Sequence, residues 1–234
     1  LIEVCSKAKS MSSTDQSALR PLPGCEEAHS VAAGLLEEFS ALLRQIGAPE
    51  VFSDLPFPPQ SLRADKLPGA EGLSHLLESY HTRLLVPLEF PAIVRACACA
   101  VEGRSRELIC LDRQLACQPL LVPLASASRR VGRRQLERLR PLRDERTVQR
   151  YLLAADRGHA HGWHTVVYGL TLAVYSWPLR QGLMFYARQT LTGLAQASAR
   201  SQSMPAPTCA DILQSLFARL PQAVEQAIGP FEIC

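Results

Sequence analysis

The chain has 234 residues, 47% hydrophobic and 20% charged, and a formal net charge of +3. Such a length and apolar content can bury a sizeable core, which excludes a disordered chain as a whole and favours one domain with a ragged end. No continuous apolar run reaches the roughly 18 to 20 residues of a membrane helix, and the opening "LIEVCSKAKSMSSTDQS" lacks the apolar stretch of a signal peptide, so a cytoplasmic protein with no membrane anchor is expected.

Residues 1–27 are polar and interrupted by Pro21, Pro23 and Gly24, and read as a poorly ordered lead-in. Residues 1–10, upstream of Met11, carry no functional reading. From residue 28 to 234 the expectation is a single all-α domain, a helical bundle of roughly nine or ten helices. Val31, Leu35, Phe39, Leu42 and Ile46 line one face of a helix that ends at Gly47. The stretch 48–69 carries five prolines. Each removes a backbone donor, which predicts a long proline-rich loop.

Beyond it, apolar residues recur at helical spacing, with breaks expected at Pro87, Gly103, Pro119, Pro141, Gly162, Pro178, Pro205, Pro221 and Gly229. The strongest helix is predicted after Pro178, capped by Ser176 or Trp177, with Leu179, Leu183, Tyr186, Thr190, Leu194 and Ala197 on one face. Small residues elsewhere on it (Gly182, Gly193, Ala195, Ala199) predict packing on several sides and a place at the centre of the bundle. The eight cysteines form no Cys-x-x-Cys pair and read as reduced, buried thiols.

Two local patterns carry chemistry. In "GHAHGWHTVVYG", His159, His161 and His164 are candidate metal ligands, since His161 and His164 at i and i+3 can share a helical face. The alternative is a solvated turn that leads into a buried helix. Between Arg129 and Arg150, nine arginines stand against Glu137, Asp144 and Glu145. Arginine forks suit phosphate oxygens, so a nucleic-acid-binding face is one reading. The stretch contains no aromatic residue for base stacking, and Val131, Leu136, Leu139 and Leu142 supply an apolar face, so a basic-faced bundle helix is the stronger reading. None of the three lysines follows a glycine, which excludes a phosphate-binding P-loop. No GxSxG elbow or HExxH motif occurs, and Ser and His are common enough that a scattered catalytic triad is the remaining hydrolase reading.

The segment "ASRRVGRRQLERL" resembles a signature of the urease accessory protein F (UreF) family, through Ser128, Gly132, Arg133 and Leu136. "HTVVYGLTLAVYSWPLRQGLMFYARQTLTGLAQASAR" is similar to a second family stretch, through His164, Val166, Val167, Gly169, Tyr186, Ala197 and Arg200. Upstream, "FPAIVRACACAVEGRSRELICLDRQLACQ" is similar to the family's preceding helices, including the pair Leu111 and Asp112. The likeness spans about residues 70–215. After Arg200 it departs from the family: Ser203, Pro205, Ala206 and Ala210 stand where Pro, Gly, Gln and Gln are usual. The N-terminal signature keeps register only at Pro23, His29 and Ser30.

The resemblance implies an all-α accessory factor rather than an enzyme, with no cofactor of its own. It implies a homodimer that joins urease accessory protein D, also called H, and recruits the nickel-carrying GTPase, accessory protein G, to apo-urease. The residues it marks for partner binding or as family signature are Ser128, Gly132, Arg133, His164, Gly169, Tyr186 and Arg200. Among these, Gly132 and Gly169 are expected to act through close packing, and Arg133 and Arg200 through partner contact or an ion pair, with a plain solvated role as the alternative for Arg133.

Overall fold

Leucines at helical spacing begin the described part of the fold: Leu73, Leu76, Leu77 and Tyr80 form the buried face of helix α1 (Gly69–Tyr80). The computed structural model describes residues 69–202 and 206–231, within the larger of two compact units, Leu42–Cys234. The predicted lead-in, the helix ending at Gly47 and residues 48–68 of the proline-rich loop lie outside the described residues.

Helix α1 does not stop at its end. It continues through a π-helical stretch (His81–Glu89) into α2 (Phe90–Val101). The predicted break at Pro87 is therefore corrected. Proline lacks a donor and its ring crowds the preceding turn, and here the backbone answers by widening: the Phe90 N–H reaches back five residues to the Leu85 carbonyl. The resulting run, Gly69–Val101, is 33 residues and is long and apolar enough by length and composition to cross a membrane. Glu78, Arg83, Glu89 and Arg95 interrupt it in sequence, which is why no continuous apolar run is seen there. Its apolar residues are largely covered by other helices: Leu73, Leu77, Leu85, Phe90 and Ile93 are fully buried, as in the core helix of a globular fold.

A tight corner at Gly103 leads to α3 (Ser105–Ala116), then a 3₁₀ segment (Pro119–Leu124) and α4 (Ala125–Leu139). Helices α5 (Arg146–Asp156), α6 (His164–Val174), α7 (Leu179–Gln202), α8 (Ala206–Phe217) and α9 (Leu220–Ile228) follow, and a 3₁₀ turn (Gly229–Phe231) ends the described chain. No strand occurs among the described residues, and the fold is all-α. With α1 and α2 counted as the one continuous helix they form through the π stretch, the described residues hold eight helices, slightly fewer than the nine or ten expected.

Helix α6 is the centre. Every residue from His164 to Leu172 is buried, and α6 packs against α2 on one side and α4 on another. The expectation that α7 holds this place is corrected, although α7 does pack on α1, α2, α8 and α9. Nor do Ser176 and Trp177 cap α7. Ser176 adopts a left-handed φ of 50°, and the first helical bond of α7 runs from the Gly182 N–H to the Pro178 carbonyl.

In α4, Val131, Leu136 and Leu139 point inward while Arg130, Arg133, Arg134 and Arg138 are exposed, which gives the basic-faced bundle helix. The thiols are free where described. Cys97 and Cys99 are buried, but Cys110 and Cys117 are exposed, so uniform burial does not hold.

Candidate functional site

The segment between α5 and α6, residues 157–163, is a strap tied down from three helices. Helix α5 closes with bonds from Gly158 N–H to the Ala155 carbonyl and from His159 N–H to the Ala154 carbonyl, a Schellman-type end with Gly158 at φ 73°. Asp112, completely buried on α3, then takes the strap's amides. Its Oδ1 accepts from Gly162 N at 3.1 Å, Trp163 N at 2.9 Å and the Tyr151 hydroxyl at 2.8 Å, and its Oδ2 accepts from His161 N. These amides stand at the N-terminus of α6, where the helix dipole also favours a negative charge. One carboxylate thus satisfies four donors.

Two arginines hold the outer edge of the strap. Arg113 Nε donates to the His159 carbonyl at 2.7 Å, and Arg133 Nε donates to the His161 carbonyl at 3.4 Å. Beneath it, α4 comes so near that Gly132 has no space for a side chain. A Cβ there would lie 2.7 Å from His164 N and 2.9 Å from the Trp163 carbonyl carbon, and closer still to the Gly162 carbonyl oxygen. Gly169 plays the same part between α6 and α2, where a Cβ would stand 2.5 Å from the Ile93 carbonyl oxygen and 2.7 Å from the Ala96 Cβ.

Inside, a chain of buried polar groups links five elements. Ser128 Oγ lies 2.7 Å from His164 Nδ1 and accepts the His164 backbone N–H at 3.3 Å. His164 Nε2 lies 2.7 Å from the Tyr186 hydroxyl. Tyr186 is hydrogen bonded in turn to Glu89, whose Oε2 also accepts the Tyr80 hydroxyl at 2.6 Å. With Glu89 ionised, one proton arrangement satisfies every group: Ser128 O–H donates to Nδ1, Nε2–H donates to Tyr186, and both tyrosines donate to the Glu89 carboxylate.

Burial sets the charge states. It lowers the His164 pKa to about 3 and leaves the ring neutral. Burial also raises Glu89 to about 7, against which the hydrogen bonds from Tyr80 and Tyr186 act only in part. These shifts oppose each other in stability. Glu89 holds a proton in the folded chain over pH 4.5 to 7 that the unfolded chain has released, so its contribution weakens as pH rises through that window. His164 stays neutral while the unfolded chain takes up a proton below pH 6.5, so its contribution weakens as pH falls from 6.5 toward 3. From pH 4.5 to 6.5 the two slopes nearly cancel. Glu89→Gln removes one of them, and its stability in urea melts is expected to rise with pH across that window, by about 2 to 3 kcal/mol relative to the parent chain. A variant whose difference from the parent is independent of pH would contradict the assignment.

The sequence candidates thus separate. Ser128, Gly132, His164 and Tyr186 converge on the junction of α4, α6 and α7, whereas Gly169 sits apart at the contact of α6 with α2. Arg133 lies on its exposed rim. Arg200 belongs to α7, and its side chain is not among those described. His159 is exposed and His161 half-buried on the strap, whereas both ring nitrogens of His164 are occupied by Ser128 and Tyr186, so the three histidines do not face a common centre. No group of three or more metal-ligating side chains occurs among the described residues. Sequence reasoning missed Glu89 and Tyr80. A single carboxylate inside "LLVPLEFPAIV" was the available signal, because a buried charge in an apolar run requires partners.

The match to known families agrees with this arrangement. The UreF family matches residues 68–214, a span that contains the strap, its anchors and the buried chain of polar groups, and the chain belongs to the UreF family. The family's role is that of an accessory protein in urease maturation. A comparison with curated proteins gave no match.

Proposed function

We propose that the chain is a scaffold for nickel insertion into urease: it joins accessory protein D (H), recruits the GTPase accessory protein G, and regulates that GTPase while nickel passes to apo-urease. In this reading it works in the cytoplasm as a homodimer and catalyses no reaction itself.

The observation that carries the reading is how the junction spends its polar groups. Ser128 and His164 stand at a distance that general-base catalysis would accept, but His164 Nε2 is engaged by Tyr186 and both residues are buried. The cavity beside them, lined by Glu89, Leu121, Ser128, Trp163 and His164 among others, measures about 10 Å³, room for one water and no substrate. Chemistry of this kind orders a surface. It supports a structural role for the signature residues, with the outward face of the strap left for partners. The experiment is size-exclusion chromatography with accessory proteins D and G from the same source, in GTP analogue and magnesium, where one complex containing all three chains is expected.

A further inference from the structure

The strap has an outer face that the buried network does not use. Arg113 and Arg133 are exposed and come from different helices, α3 and α4, yet each commits its Nε to a strap carbonyl. That bond fixes where each guanidinium lies and leaves its two terminal nitrogens free to point outward as a fork. The anchoring carbonyls belong to His159 and His161, two residues apart, so their Cα atoms are separated by at most about 7 Å. Arg157, also exposed, stands at the start of the strap, and the exposed His159 carries the first of the two anchoring carbonyls.

Negative charge near this edge is already taken. Asp112 is buried beneath the strap and saturated by its four donors. Asp156 is paired with Arg140, which also holds Glu137 at 2.6 Å. A cation is repelled here. A carboxylate-bearing ligand is attracted, and it meets donors whose positions are set before it arrives, which lowers the ordering cost of binding.

We propose that this edge, Arg113 and Arg133 across Gly158–Gly162, is a docking site for an extended acidic segment of a partner protein. The spacing selects the ligand. In an extended peptide, side chains at i and i+2 lie on one face, about 7 Å apart, the same order as the separation of the two anchors. Acidic residues at alternate positions can therefore engage both forks, while the intervening side chains face solvent. The proposal extends the scaffold reading by giving the chemistry of one partner contact, and its test uses no urease protein, so the two can fail separately.

The probe is a fluorescein-labelled peptide of four Glu-Ser repeats, titrated with the full chain in low salt and followed by anisotropy. Arg113→Gln with Arg133→Gln is expected to weaken binding at least about tenfold. Arg106→Gln with Arg143→Gln removes the same charge from exposed positions elsewhere and is expected to change it less than about twofold. Arg113→Lys with Arg133→Lys keeps the charge but loses the fork, and is expected to fall between them. Thermal melts of each variant establish that it is folded. No measurable binding by the parent chain, an equal loss in the strap and control variants, or preference for an oligothymidine of equal charge would overturn the proposal.

Discussion

Gly132→Ala is expected to destabilise the chain by about 3 kcal/mol or more, at the upper end for an added methyl group in a packed interior. The reason is what the methyl meets. Its neighbours are backbone atoms of Gly162, Trp163 and His164, and backbone fixed by the Asp112 carboxylate cannot rotate aside as a side chain can. For the methyl to fit, α4 has to move away from the strap, which breaks the Ser128 bonds to His164. Chemical melts of the purified variant check the magnitude, and loss of protection at the His164 amide in hydrogen exchange checks the cause. A variant with parent stability and parent exchange would show that α4 and the strap are not packed as described.

Asp112→Ala is expected to cost about 4 kcal/mol or more, a loss comparable with the whole stability of many domains. Removing the carboxylate leaves the Tyr151 hydroxyl and the His161, Gly162 and Trp163 amides without their acceptor, and a stranded buried donor costs roughly 1 to 3 kcal/mol. Asp112→Asn keeps the shape but turns an amide NH₂ toward donors, so it is expected to recover only part of the loss. Urea melts of both variants rank the effects. If the asparagine variant matches the parent, the charge and the second acceptor oxygen contribute nothing, contrary to the geometry.

Much of the fold is legible in the residue pattern, because most helices here have one apolar face. The face of α4 follows directly from Val131, Leu136 and Leu139. Helix α6 is harder to place. From His164 to Leu172 it is buried on all sides, so it has no polar face to reveal its orientation, and the longer α7 reads as the more central of the two. Pro87 misleads for a different reason: proline disfavours an α-helical turn, and a π turn is one of the few ways around it.

The site divides in the same manner. Family signatures mark Ser128, Gly132, His164, Gly169 and Tyr186, and the two glycines read as close-packing positions, but the groups that each residue meets are not legible. Gly132 matters because of residues 30 or more positions away, and Asp112 because of amides 49 to 51 positions away. Partnerships at such separations leave no local periodicity. Glu89, which the sequence reading missed, did leave a signal: a lone carboxylate in an apolar run requires buried partners, here Tyr80 and Tyr186.

The scaffold account is tested most directly by the mass of the assembly it forms. Size-exclusion chromatography with in-line light scattering, on the chain mixed with accessory proteins D and G plus GTP analogue and magnesium, is predicted to give one peak. Its mass should require two copies of this chain and fall when protein G is omitted. Elution of the folded chain apart from both partners, at a mass unchanged by their presence, would contradict the account.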